Sequence, residues 1–248
     1  MTDPRFLIHQ QVQTILNGLN ALLFAESQAY FGGGTVLAME LDEYRQSHDI
    51  DFICPIATSG YRNLRKVIFE QGYEALFSDL QLLHIGRAKT DQYGIRLLVT
   101  VSDMPIKLEI IAEARFVPTS PRYLPWTDVP CLSWADCFTS KLLSNADRFM
   151  DESVLSRDLI DLAMLRSYFQ LPEGAIAKAE AAYEVLPPLK IAIRRFQARP
   201  DYRERCYDQL QISAPFLPRI ADGLDLLAED LNLPPLERLF KEQEDIFS

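Results

Sequence analysis

The sequence predicts an α/β (α+β) protein, with a domain of strands and helices over residues 1–130 followed by a helical domain over residues 131–248. Three observations carry this. Runs that alternate or cluster apolar residues as strands do are confined to the first half. Pro118, Pro121, Pro125 and Pro130 then space out a connector, and from Ser133 onward apolar residues recur almost entirely at helical intervals. With 248 residues, 48% of them hydrophobic, the chain can bury one large core or two small ones.

The elements follow in order. Over 5–28, Phe6, Leu7, Val12, Ile15, Leu16, Leu19, Leu22 and Leu23 lie on one helical stripe, so one opening amphipathic helix is expected. Gly32-Gly33-Gly34 frees the backbone to turn, and 35–41 reads as a short helix that begins at those glycines. Ile50 and Phe52 interleave with Asp49 and Asp51, a strand in which the two carboxylates share one face. A helix over 61–71 leads to Gly72, and strands are expected at 80–85, 95–101 and 106–111. In the second half helices are expected near 133–149, 153–169, 173–185, 187–197, 202–210, 215–229 and 234–246, with Ser133 and Asp136 resembling an N-terminal cap.

Composition removes several classes of function. Cys54, Cys131, Cys137 and Cys206 show neither zinc nor disulfide spacing, and only His9, His48 and His84 supply imidazoles, so any metal should be held by oxygen. No run approaches the roughly 20 apolar residues of a membrane span, and no apolar signal core follows the first methionine, so no membrane partner and a cytoplasmic location are expected. A net charge of −10 argues against a broad basic surface for long nucleic acid. One local exception is Lys190, Arg194, Arg195, Arg199, Arg203 and Arg205, either a basic groove or a solvated helix face.

The chemistry is concentrated between Gly32 and Asp51. A helix starting at glycines presents unpaired backbone N–H groups to phosphate oxygens, with Thr35 as a further hydroxyl donor. Asp49 and Asp51 on the adjoining strand offer hard oxygen ligands suited to Mg²⁺, with Mn²⁺ as the alternative ion. A two-metal site for phosphoryl or nucleotidyl transfer needs a third acid. Glu109, on a strand face opposite Leu108 and Ile110, is the candidate. Asp103 and Glu113 are weaker because they lie near the ends of the apolar run and should be solvated, and a plain surface pairing of Lys107 with Glu109 is the competing account. Ser47 either meets phosphate or braces the strand. Alternation turns His48 away from the two aspartates, and adjacent Ser47, His48 and Asp49 cannot converge as a hydrolytic triad.

These residues resemble a known family. Phe31-Gly32-Gly33-Gly34-Thr35-Val36-Leu37 and Arg45-Gln46-Ser47-His48-Asp49-Ile50-Asp51-Phe52 resemble the Gly-Gly-Thr-Ala-Leu and Arg-x-Ser-x-Asp-Ile-Asp-Phe signature of AbiEii/AbiGii-type toxins, which belong to the DNA polymerase beta-like nucleotidyltransferase superfamily. Lys141 followed by Arg157-Asp158-Leu159-Ile160-Asp161-Leu162 is similar to the family's later lysine and Arg-Asp-x-x-Asp-Leu motif. Val36 stands where the family has alanine, and the third glycine leaves the register of the Gly-Gly pair open.

The resemblance implies a nucleotidyltransferase-fold mixed sheet with flanking helices and a magnesium-dependent enzyme that moves NMP from a nucleoside triphosphate to a hydroxyl. It further implies RNA, in some members the tRNA acceptor end, as acceptor, and a cognate antitoxin encoded nearby. On this reading Gly33, Gly34, Thr35 and Ser47 contact the nucleotide, and Asp49, Asp51 and Glu109 bind metal. Lys141 either reaches the triphosphate, with Arg148 two turns on lining the same groove, or only covers the core with its stem. Asp158 and Asp161 either shape the nucleotide site or pair with Arg157 and nearby cations. A small-molecule nucleotidyltransferase of the antibiotic-modifying kind and a non-catalytic nucleotide-binding protein are the alternatives.

Overall fold

A computed structural model describes residues 4–235. The chain forms two compact units that divide between Cys137 and Phe138. In the first unit the elements are α1 (Leu7–Gly18), α2 (Ala21–Glu26), β1 (Tyr30–Gly32), α3 (Gly33–Glu40), β2 (Asp49–Pro55), α4 (Gly60–Gln71), β3 (His84–Thr90), β4 (Gly94–Val101), β5 (Met104–Glu113), β6 (Arg122–Leu124) and β7 (Thr127–Cys131). The strands make one sheet in the order β3-β4-β5-β2-β1-β7-β6. It is mixed, because β2–β5 and β1–β7 run parallel while the remaining pairs are antiparallel.

Three departures from the sequence reading have physical causes. The opening helix is two helices. Leu19 leaves the helix in an extended conformation and bridges Phe77, the Gly18 carbonyl accepts from Ser78 N–H, and Asn20 caps α2 by accepting from Leu23 N at 3.1 Å. Backbone pairing with a distant segment therefore overrides a continuous apolar stripe. The strand expected at 80–85 lies instead at β3, an edge strand whose side chains are mostly exposed and which bulges between Ile85 and Ala88. The proline-spaced connector contains β6 and β7; Val129 and Cys131 are fully buried, and Phe31 pairs with Cys131.

The core of the first unit is aromatic where β1 and β2 meet. Phe52 packs 4.5 Å from Phe24 and 5.7 Å from Phe31, centroid to centroid, and all three are fully buried. Helix α3 is apolar all round, with Thr35 to Met39 buried, and it packs on β2.

The remaining helices are α5 (Trp134–Arg148), α6 (Arg157–Tyr168), α7 (Glu173–Glu180), α8 (Leu186–Gln197), α9 (Pro200–Gln209) and α10 (Leu217–Asp230). Ser133 Oγ accepts from Asp136 N at 3.1 Å, as a cap should, but the Asp136 carboxylate accepts from Thr119 N at 2.8 Å and from its hydroxyl. In the second unit α6 is buried from Asp158 to Leu165. It packs on α10 at Gly223, where an added Cβ would lie 1.9 Å from the Ala163 carbonyl oxygen. The helix expected over 234–246 falls almost wholly outside the described residues. Among those residues no helix is long and apolar enough to cross a membrane.

Candidate active site

Strand register assembles the site. Asp49 and Asp51 stand two residues apart on β2, both half-buried, while Ile50 and Phe52 between and after them are fully buried. On one side antiparallel β1 places Gly32 opposite Asp51. On the other, parallel β5 places Lys107 opposite Asp49 and Glu109 opposite Asp51. One strand further out, β4 places Arg96 opposite Glu109.

Gly33 makes the turn from β1 into α3 with φ +71°, a backbone conformation that glycine adopts without a steric penalty. A Cβ there would lie 2.5 Å from Asp51 Oδ2 and 2.9 Å from Asp51 Cβ, so only glycine lets the backbone pass this close to the carboxylate. The start of α3, with Gly34, is thereby set beside Asp51. Thr35 is 1% exposed. Its hydroxyl bonds the Asp49 carbonyl and lies 2.7 Å from Ser47 Oγ, so the side chain expected to reach a phosphate instead ties α3 to the start of β2. Ser47 is half-buried, with the Thr35 hydroxyl as its side-chain partner.

Ser47 is held from its backbone as well, by a residue to which the sequence reading gave no role. His9 on α1 is fully buried; its Nε2 accepts from Ser47 N at 3.1 Å and its Nδ1 lies 2.6 Å from Glu43 Oε1. Since Nε2 accepts, Nδ1 carries the proton and donates to Glu43. Burial lowers the His9 pKa against the opposing pull of Glu43. Arg45 is buried too, 3% exposed, and donates to the Gln46 carbonyl, whereas His48 is exposed and paired with Gln46.

Glu109 is flanked by cations. Its Oε1 accepts from Arg96 Nε at 2.7 Å, and its Oε2 lies 2.5 Å from Lys107 Nζ. Arg96 also bonds Asp91, whose carboxyl is lowered to about 2 by the Tyr93 backbone N–H first, then by Lys89 and Arg96. Burial disfavours the charge on Lys107, but the carboxylates of Glu109, Asp49 and Asp51 outweigh it and raise the pKa. Glu113, expected to be solvated, is instead 3% exposed and clamped by Arg115 N, Nε and Nη2. Arg96 was legible only as an outward position in Ile95-Arg96-Leu97; its charge partner comes from the neighbouring strand.

The donor chemistry suits magnesium at Asp49 and Asp51, since that ion commonly takes one or two carboxylates and completes its shell with phosphate and water. Glu109 fits less well as a third ligand, because both its oxygens are engaged. Among the described residues no three His, Cys, Asp or Glu side chains are grouped so as to hold a metal ion.

In the second unit Lys141 on α5 lies 3.0 Å from Asp158 Oδ1 and 2.6 Å from Asp161 Oδ2. Arg148, two turns on, reaches Asp158 through Nε at 2.6 Å and Nη2 at 2.9 Å. Lys141, Asp158 and Asp161 are each at most 5% exposed. The lysine amine therefore ends in a buried ionic cluster rather than in water, and the aspartates pair with Lys141 and Arg148, not with Arg157. Burial works against the charge on Asp158, but Lys141 and Arg148 prevail and lower its pKa.

Comparison with known proteins bears on the fold and the family. Two solved structures share the fold. One is from H. pylori and is assigned as a nucleotidyltransferase, with 15% identity and a TM-score of 0.52 over 91% of this chain and 96% of the other. The second is JHP933 from Helicobacter pylori, with 17% identity and a TM-score of 0.52 over 91% of this chain and 93% of the other. No curated protein matches the chain. The family described as nucleotidyl transferase AbiEii toxin, Type IV TA system, matches residues 14–240. The chain is therefore a nucleotidyltransferase that belongs to the AbiEii toxin family of Type IV toxin-antitoxin systems.

Proposed function

We propose that the enzyme moves a nucleoside monophosphate from a nucleoside triphosphate to a hydroxyl of RNA, with magnesium held by Asp49 and Asp51. The observation that carries this reading is the contact of Gly33 with Asp51, which sets the backbone N–H groups at the start of α3 beside a carboxylate pair. A bound magnesium ion supplies charge neutralisation for the phosphates and acidifies the acceptor hydroxyl.

The protein's own groups set up an in-line displacement. Gly33 and Gly34 give phosphate oxygens access to backbone donors, and Thr35 with Ser47 keeps β2 fixed against α3. The acceptor oxygen bonds to the α-phosphorus, the bond from that phosphorus to the bridging oxygen breaks, pyrophosphate leaves, and the hydroxyl proton passes to water. Glu109 positions Arg96 and Lys107 along the edge of the carboxylate pair. The buried set of Lys141, Arg148, Asp158 and Asp161 fixes α5 to α6 within the helical unit. A cognate antitoxin encoded nearby is the proposed physiological partner.

The test is incubation with each labelled nucleoside triphosphate, magnesium and, in parallel, total RNA or a set of small hydroxylated compounds. Label appearing in RNA, lost in the Asp51→Ala protein, is the expected result. Label found only on small hydroxylated compounds would overturn the RNA acceptor, and triphosphate that binds without ever being consumed would overturn transfer.

A further inference from the structure

The six clustered cations of the sequence divide in the structure. Arg203 is buried and donates to the carbonyls of Phe196 and Gln197 at 2.8 and 2.6 Å, so it closes the end of α8 and is not available to a ligand. Arg195, Arg199 and Arg205 instead gather round one carboxylate, that of Glu152, in the turn before α6. Arg195 reaches it at 3.5 Å, Arg205 at 3.0 Å, and Arg199 is paired with it more closely still.

Stability alone is a weak reason for this gathering. Glu152 is 39% exposed, and Arg199 and Arg205 are 43% and 48% exposed, so each ion pair is screened by water and contributes little. Three guanidiniums held near one another repel, and Arg199 is the N-cap residue of α9, where the helix dipole opposes positive charge. Three arginines against Glu152 leave two excess positive charges, and counting Asp201 as well still leaves one, on a chain whose net charge is −10. Beside the cluster lies a groove of about 340 Å³ lined by Arg199, Pro200, Asp201, Tyr202 and Arg205. The guanidiniums of Arg199 and Arg205 rest 4.8 and 5.1 Å from the centroid of the Tyr202 ring, which limits their freedom, and Tyr202 is tied to Ser156 at 3.0 Å. Arg194 lies exposed on α8 immediately before Arg195.

We propose that Arg195, Arg199 and Arg205 form a phosphodiester-binding site for RNA, in which Glu152 occupies the anion position until a backbone phosphate displaces it. Guanidinium forks match phosphate oxygens in pairs, and a preassembled set loses less side-chain entropy on binding than free arginines would. RNA is favoured over an acidic protein segment because the transfer proposed above requires a hydroxyl-bearing polymer to be held. The inference rests on that reading for its choice of polymer and on the arginine geometry for its site.

The test is fluorescence anisotropy of a labelled single-stranded RNA with the full chain, without nucleotide or metal, across a salt series. The Arg199→Ala/Arg205→Ala double variant should weaken binding about tenfold and reduce the dependence of log affinity on log salt by about 1.4, for two lost phosphate contacts on a single strand. Glu152→Gln should tighten binding severalfold, because the internal competitor loses its charge. Should the alanine variant not fold, Arg199→Lys/Arg205→Lys takes its place, keeping the salt dependence but losing affinity. Wild-type affinity and salt dependence in a folded double variant, weaker binding by Glu152→Gln, or binding of a polyglutamate peptide but not RNA would each overturn the site. Calorimetry of triphosphate binding, run alongside, reports on the carboxylate pair, so failure of the transfer reading is seen separately.

Discussion

Asp51 and Glu109 are register partners on the adjacent parallel strands β2 and β5, yet the two carboxylates have different company. Asp51 stands against the Gly33 turn and acts on Lys107 only through its charge, whereas Glu109 pairs directly with Arg96 and Lys107. Removing them should therefore have unequal effects. Asp51→Asn is expected to lower transfer about a thousandfold and to weaken Mn²⁺ binding in the presence of triphosphate. Glu109→Gln should cost about tenfold to a hundredfold and leave Mn²⁺ affinity near wild type. Equal loss of Mn²⁺ affinity in both variants would make Glu109 a metal ligand after all.

Gly33→Ala tests the close approach that defines the site. At φ +71° with 2.5 Å to Asp51 Oδ2, an alanine must strain the turn or push the carboxylate aside. Thermal unfolding should show a loss of about 1–3 kcal/mol, and transfer should fall by more than that loss accounts for. A variant with wild-type activity would separate the glycine turn from catalysis.

Lys141→Met removes the amine shared by Asp158 and Asp161. Taking one partner from a buried ionic set is expected to cost about 3–5 kcal/mol in urea unfolding, against under about 1 kcal/mol for a lysine whose amine reached water.

Acid should destabilise the protein in two stages. His9 has a pKa below its ordinary value, so the unfolded chain binds the proton more readily. Stability is full above about 6.5 and declines as pH falls from there towards the lower folded value. Asp158 is lowered as well, so its contribution is present above about 3.9 and is lost as pH falls below that towards its folded pKa. Urea midpoints across a pH series should show both declines. His9→Gln should flatten the first and Asp158→Asn the second, and persistence of either decline in its variant would assign it to another group.

His9 also offers a test of positioning. His9→Ala removes the acceptor for Ser47 N–H and the partner of Glu43, freeing the segment that leads into Asp49. Transfer should fall about tenfold beyond any loss of folded protein, and a His9→Gln variant, which retains an acceptor, should recover part of it. Equal activity of the two variants would reduce His9 to a packing role.

Much of the fold was legible because its signals are local. The short helix at the glycines, the carboxylates on one strand face and the helical second half follow from spacing alone. The break after Gly18, the edge strand β3 and the strands hidden among prolines were not legible, since each depends on backbone pairing with distant residues: Leu19 with Phe77, β3 with β4, and Phe31 with Cys131. At the site the same division holds. Asp49, Asp51 and Gly33 announce themselves, but the burial of Glu113 and the latch of His9 depend on what folds over them.

By itself the sequence determined which residue types are at hand: two carboxylates on one strand, a glycine turn into a helix, and few cysteines and histidines, none of them at metal-site spacing. Only the tertiary structure decided the charge state of the company those groups keep. Register set Arg96 on Glu109, burial committed Lys141 to Asp158 and Asp161, and packing took Arg203 out of the basic cluster while leaving Arg195, Arg199 and Arg205 around Glu152. The reason is physical: side-chain type and short spacing are properties of neighbours in the chain, whereas a charge finds its partner through contacts between residues far apart in sequence, and burial then decides how strongly the pair interacts.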